Sequence, residues 1–466
     1  MDCRLAEDWV RVRMQAILAG GVILFAAPAA AQTDPNVAPK TVAAPQAGAD
    51  LATLQAQRSA LFQRMLDKPD DLDAAFRYAA LSAQVGDLEA AISTLERMLI
   101  FAPGLPRLQL ELGVLYYRLG AYETARTYFQ AAITGPQVPE AVRLKVEQYL
   151  SGIAAAEMDT RFSGQIRAGV RYQTNANRAP GLGTVLTSGG LTIDPGSIGA
   201  ADGNAYGAGL FHMSYDLPTQ GDSLEADLVV YGSRQFERDE LDTALAEITF
   251  GPALDMGRVG LDNAVLGLYG IASGVFVDDN FYSAAGGAGT RFVIRPTPRI
   301  SSLTAFEYRY RDYQESSTSP TANRRDGNEY RLYTSNSYIV APNLMLNGGG
   351  YVQRTESDFG YLAYIEAGIS AGFSYAFASP LGGRYGPWTL SPTAGYVYRE
   401  YDDPDLVIDP TDAEVDREAY VGASLLVPVA QSWSLMADTE YRDVTSNYAI
   451  RDYDNLAVSL SVVKRF

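Results

Sequence analysis

From Arg161 to Phe466 the sequence alternates apolar and polar residues in strand-length stretches, and the pattern persists over roughly three hundred residues. In SGQIRAGVRYQ, Ile166, Ala168, Val170 and Tyr172 share one face, while Gln165, Arg167 and Arg171 share the other. TAFEYRYRDY sets Phe306, Tyr308 and Tyr310 against Glu307, Arg309 and Arg311. WSLMADTEYR sets Trp433, Leu435, Ala437 and Tyr441 against Ser434, Asp438, Glu440 and Arg442. The final stretch sets Leu456, Val458, Leu460, Val462 and Phe466 against Asn455, Ser459, Ser461 and Arg465. Faces this charged do not fit a dry core. A soluble sandwich would divide such a length into domains of about a hundred residues. The solution left is a closed barrel with its apolar face to lipid and a polar lumen.

About fourteen segments have the ten or so residues needed to cross a bilayer at a tilt. They centre near Ala168, Phe211, Val229, Thr249, Leu268, Gly289, Tyr308, Thr334, Gly350, Gly372, Gly395, Ala423, Ala437 and Leu460. One set of connections reads as short and turn-like: PTQGDS, MGRVG, PTPRIS, APN, SPLGGRYGPW and VAQS. The alternating set is longer or more acidic: the stretch from Thr174 to Asn204, then ERDELD, VDDN, ESSTSPTANRRDGN, ESDFG, DDPDLVIDPTDAEVD and TSNYAIRD. Short turns on the periplasmic side and longer external loops are the habit of outer-membrane barrels. The 30 tyrosines suit interfacial girdles. Lys464 breaks the apolar face and is expected to snorkel to the interface.

The N-terminal stretch fits export. RVRMQAILAGGVILFAAPAAAQ has basic Arg11 and Arg13, an apolar run from Ala16 to Ala27, and an A-x-A-like site ending at Ala31. Residues 1–31 therefore read as a signal peptide, with Met14 an alternative start. Cys3 lies ahead of the site, so the mature chain would carry no disulfide. Residues 32–49 form a Pro/Ala-rich linker.

Residues 50–157 read as helical and 158–466 as the barrel, making the fold class a short α-solenoid followed by a transmembrane antiparallel β-barrel. Within the first, a 34-residue period relates Ala79 to Gly113, Gly86 to Gly120 and Ala91 to Ala125. Leu112, Gly113, Tyr116, Ala125 and Phe129 match the tetratricopeptide pattern. Pro69 and Pro103 close successive units; Leu51–Leu66 belongs to a degenerate earlier unit, and Glu140–Glu157 caps the stack. The first helices of such units line the concave face. Here they would present Phe76, Gln84, Arg107, Leu110, Tyr117 and Arg118, either to a bound polypeptide or to ordinary inter-helix packing.

Catalytic signals are sparse. His212 is the only histidine, and a structural or interfacial role is expected for it. No metal-ligand spacing or phosphate-cradling loop is present, so the chain reads as a non-enzyme without cofactor or metal. The acid-rich run Asp402–Glu418 reads as a solvated loop rather than a calcium site. Glu225, Asp227, Glu307, Arg309, Arg311, Asp438, Glu440 and Arg442 would line the lumen. The formal net charge of -18 argues against a nucleic-acid partner.

Signal peptide, short tetratricopeptide domain and C-terminal barrel together resemble the surface lipoprotein assembly modifier (Slam) family, as does NANRAP at Asn175–Pro180 after the first strand. The resemblance implies outer-membrane delivery of lipoproteins or other exported proteins to the cell surface, with the repeat domain in the periplasm. Lipid and the barrel-assembly machinery would be further partners, and terminal Phe466 resembles the signal that machinery reads. Two other readings remain: an exopolysaccharide export porin with a tetratricopeptide scaffold, or a surface pore or structural barrel.

Overall fold

The computed structural model describes residues 51–466 apart from 69, 103–104, 135–139, 157, 182–197, 220, 318 and 383–384. The expected signal peptide and linker, and the unit-closing Pro69 and Pro103, lie outside the described residues.

The helical unit contains α1 (Leu51–Asp67), α2 (Leu72–Gln84), α3 (Leu88–Phe101), α4 (Pro106–Arg118), α5 (Tyr122–Ala132) and α6 (Glu140–Ala156). Asp71 and Asp87 start α2 and α3 by accepting hydrogen bonds from Ala74 N and Ala90 N, at 2.9 and 3.1 Å. Pro106 opens α4, where its missing N–H costs nothing. The period of 34 now has a physical basis. Gly86 and Gly120 end α2 and α4 with φ of 89° and 79°, a conformation in which a side chain would be strained. At Gly113 a Cβ would meet the Phe129 ring at 2.6 Å, so the α4–α5 crossing requires glycine. Ala75, Ala91, Leu108 and Leu112 are fully buried in one core cluster, and Ala125, Phe129, Val146 and Ile153 in a second. Burial of each large side chain contributes about 1.5–3 kcal/mol.

The barrel strands are β1 (Thr160–Gln173), β2 (Asp202–Asp216), β3 (Ser223–Gln235), β4 (Thr243–Asp255), β5 (Ala264–Val277), β6 (Asn280–Thr297), β7 (Ile300–Tyr313), β8 (Gly327–Ala341), β9 (Leu344–Thr355), β10 (Tyr364–Phe377), β11 (Trp388–Tyr401), β12 (Val415–Pro428), β13 (Trp433–Ser446) and β14 (Tyr453–Arg465). Each pairs antiparallel with its chain neighbours, and β1 pairs with β14 to close the cylinder. All fourteen expected centres fall inside a strand. Closure satisfies the backbone of every strand without leaving an edge.

The outward phase is apolar and bare: Val170, Ile248, Phe250, Ile369, Val421 and Leu460 are 47–68% exposed. A surface of this extent on a water-soluble protein would aggregate, so lipid is its solvent. Lys464 lies opposite Trp433 in register, with Nζ 5.1 Å from the ring centroid. The snorkelling cation is thus held by an interfacial aromatic.

The connections fall on two rims. One, the loop rim, carries 174–201, 236–242, 278–279, 314–326, 356–363, 402–414 and 447–452; the other, the turn rim, carries 217–222, 256–263, 298–299, 342–343, 378–387 and 429–432. Two connections depart from the length contrast between the rims. VDDN closes as a two-residue hairpin, because Asp278 and Asp279 take φ of 52° and 57° and match the twist of β5 and β6. Conversely, SPLGGRYGPW is no tight turn: β10 ends at Phe377 and β11 starts only at Trp388.

Candidate functional site: a helical face and a charged lumen

Of the six residues expected on the concave helical face, most are engaged within the stack. The Arg107 guanidinium lies over the Phe76 ring, 4.7 Å from its centroid. Leu110 is 7% exposed and belongs to the second core cluster. Tyr117 packs against Tyr122 and Tyr149, with ring centroids at 5.6 and 5.3 Å. Gln84 and Arg118 are exposed, and Arg118 Nη2 donates to Ala83 O at 3.4 Å, so the C-terminal ends of α2 and α4 adjoin. Apolar groups missed by sequence reasoning also face solvent: Ile100, Phe101 and Leu119 are 77%, 51% and 50% exposed. Elsewhere Glu96 accepts hydrogen bonds from Tyr116 and Tyr128 at 2.6 and 3.3 Å. The carboxylate so close to Tyr116 Oη, helped by burial, pushes that phenol up to about 12.

All eight expected lumen residues point inward, and each has a partner of opposite charge. Arg291 joins Glu225 and Asp227, and Asp227 also meets His212 Nδ1 at 2.7 Å. Arg309 lies between Glu247 at 2.6 Å and Glu307 at 2.8 Å. Arg311 pairs with Glu329 at 3.1 Å, Asp438 with Arg167, and Arg442 with both Glu418 and Glu440. His212 is therefore held by a lumenal carboxylate. The partners Arg167, Glu247, Arg291, Glu329 and Glu418 occupy the polar phase of their own strands, but local alternation carries no cross-strand register. Several arginines also lie over tyrosines, Arg291 over Tyr269, Arg331 over Tyr351 and Arg442 over Tyr420, at 5.6, 4.9 and 4.9 Å.

NANRAP, the stretch after the first strand, is buried inside the barrel. Asn175, Ala176, Asn177, Arg178 and Ala179 are 7%, 2%, 2%, 7% and 7% exposed. Asn175 bonds to Ala179 through both ends of its amide, donating to the carbonyl at 2.8 Å and accepting from the N–H at 3.1 Å. Asn177 donates to Ile198 O at 2.8 Å and accepts from Ala200 N at 2.9 Å. Ala176 N donates to Ala200 O at 2.7 Å, and Gly199 N to Pro180 O at 3.0 Å. Asn177 and the two backbone bonds thus clasp the two arms of the β1–β2 connection together, while Asn175 fixes the turn within the first arm. A Cβ at Gly199 would sit 2.8 Å from Asn175 Nδ2, so the clasp admits only glycine there. Among the described residues no group of three or more His, Cys, Asp or Glu side chains is arranged to hold a metal ion.

A closed, lipid-facing barrel with a charged lumen, joined in one chain to tetratricopeptide helices, defines an outer-membrane protein. Residues 77–146 match the tetratricopeptide repeat model, and residues 164–466 match the model for the surface lipoprotein assembly modifier. The chain belongs to the surface lipoprotein assembly modifier family. No protein of curated function matches it. Among solved structures, OmpT of Vibrio cholerae is similar at 12% identity over 66% of this chain and 99% of its own, with a TM-score of 0.35. A FadL homologue of Pseudomonas aeruginosa is similar at 11% identity over 65% and 90%, with a TM-score of 0.37. The Yersinia enterocolitica type III secretion chaperone SycD, in complex with a peptide of the translocator YopD, is similar at 13% identity over 23% and 83%, with a TM-score of 0.22.

Proposed function

We propose that this protein delivers lipoproteins or other exported proteins to the cell surface, with the helical unit in the periplasm receiving the cargo and the barrel moving it outward or supporting that movement. The observation that carries this reading is the family match over 164–466, joined to a repeat unit too short for an extended scaffold. Exposed Gln84 and Arg118, beside solvent-facing apolar groups such as Leu119, offer both hydrogen bonds and apolar surface to a polypeptide segment. Tethering that surface to the barrel raises the local cargo concentration. No step of bond making or breaking is assigned to the chain. Phe466 serves the assembly machinery, and its backbone exchanges hydrogen bonds with Gly164 at 2.9 and 3.1 Å once the barrel is closed.

The test is co-expression with candidate lipoproteins and surface labelling of intact cells. Deletion of residues 50–157 is expected to leave a folded barrel and strand the cargo inside. Gln84→Ala with Arg118→Ala is expected to weaken delivery without unfolding the stack. A tag at Asp409 on the loop rim should be labelled on intact cells, and one at Asn343 on the turn rim only after the membrane is opened. Loss of an extracellular polymer with surface proteins intact would instead establish polysaccharide export.

A further inference from the structure

We propose that residues Thr174–Pro180 are a stopper lodged in the loop-rim end of the lumen, and that release of the Asn175/Asn177 clasp opens the barrel. A connection between strands normally runs over the surface, because a buried loop must satisfy its backbone internally. This one turns inward, and the asparagine amides supply the bonds that solvent would otherwise provide. It is also anchored to the wall. Backbone pairing of β1 with β14 ends at Gln173↔Ala457, and beyond it Thr174 N donates to Leu456 O at 3.0 Å while Asn175 N donates to Asn455 Oδ1 at 3.0 Å.

Arg178 carries the stopper across the lumen. It holds φ at 49°, unusual for a side chain of its size, and lines a cavity of ≈ 40 Å³ with Arg399 of β11 and Asp416 and Glu418 of β12. It is also within electrostatic reach of Tyr231 on β3 and Glu440 on β13. Only 7% exposed, its Nε and Nη1 have no hydrogen-bond partner among the described residues. The acids around it attract this guanidinium through space without a bonded ion pair, so the position of the segment is fixed by the asparagine bonds and by its backbone bonds to β14. What passes the opened lumen rests on the delivery role proposed above; closure itself does not.

The full-length protein in planar bilayers provides the test. The unaltered protein is expected to be closed, and Asn175→Ala with Asn177→Ala to raise open-channel conductance at least tenfold while the barrel stays folded by heat-modifiable migration. Steady conductance without substitution, or a folded double variant as silent as its parent, would overturn the proposal. Ala176→Cys keeps the test decisive should the double variant fail to fold. Its thiol is expected to react with a small maleimide at least tenfold more slowly than that of Thr411→Cys on the exposed loop, and equal rates would also overturn the stopper. Neither readout uses cargo, so a closed barrel that displays nothing counts against delivery alone. A barrel that displays cargo yet conducts steadily counts against the stopper alone.

Discussion

Arg107 and Arg309 mark the difference between the two units. Arg107 lies over Phe76 on an exposed helical surface, while Arg309 is 6% exposed and wedged between Glu247 and Glu307. The helical unit buries Leu108, Leu112 and Phe129 and leaves its charges to water; the barrel buries its charges and leaves Val170, Ile369 and Leu460 bare. The same residue types thus have opposite energetic weight in the two units. In the first a lost methyl is costly and a lost charge is cheap; in the second the order reverses on the inside and lipid polices the outside.

The contrast is tested hardest by Arg309→Ala, which leaves Glu247 facing Glu307 without their shared cation. It is expected to destabilise the barrel by about 3–5 kcal/mol, read as a lower urea midpoint in detergent. Arg107→Ala should shift helical unfolding far less, and equal shifts would dissolve the distinction. Next comes Leu460→Arg, which faces lipid and should cost about 2–4 kcal/mol of barrel stability. Thr393→Arg, on the inward phase and exposed to the lumen, should assemble normally. Comparable loss of heat-modifiable folding in both would mean the faces are misassigned.

Gly113→Ala sharpens the helical side. The added Cβ meets Phe129 at 2.6 Å, and overpacking is expected to cost about 1–3 kcal/mol, seen as earlier loss of helical circular dichroism with the barrel intact. The smallest effect is a titration. Because Tyr116 is raised above the ordinary tyrosine value of 10.0 to about 12, the folded unit favours its neutral form. That stabilisation is complete below about pH 10 and is lost as pH rises towards about 12. Tyr116→Phe should flatten the decline in helical stability over this window; an unchanged slope would remove the Tyr116 phenol as its cause.

The parts of this fold legible in the sequence are those set by neighbours along the chain. The two-residue alternation places Ile166, Val170 and Leu460 outside and Arg167, Glu307 and Arg442 inside, because the pleat forces it. The 34-residue spacing of Gly86 and Gly120 reports two positive-φ turns for a similar local reason. Pairing across strands is different. Nothing near Arg167 announces Asp438, which meets it only once closure sets the register. NANRAP was visible as a motif, yet its burial depends on Asn455 and Ile198, residues far along the chain. The helical candidates Leu110 and Tyr117 were placed by repeat position alone. Leu110 packs in one cluster with Phe129, a repeat-pattern residue, but Tyr117 packs on Tyr149 of the capping helix, which the repeat pattern does not include.

The seam between β1 and β14 imposes an order of events on biogenesis. Gln165 pairs with Arg465 and Tyr172 with Val458, so the first strand to emerge from export finds its second neighbour only in the last. Until then both ends of the growing sheet are open edges, able to pair with any other unfinished sheet nearby. Contacts this distant in sequence also form slowly. A chain lacking only its final strand would therefore forfeit closure rather than one stave of the wall, and every partly made copy keeps two open edges until β14 is in place.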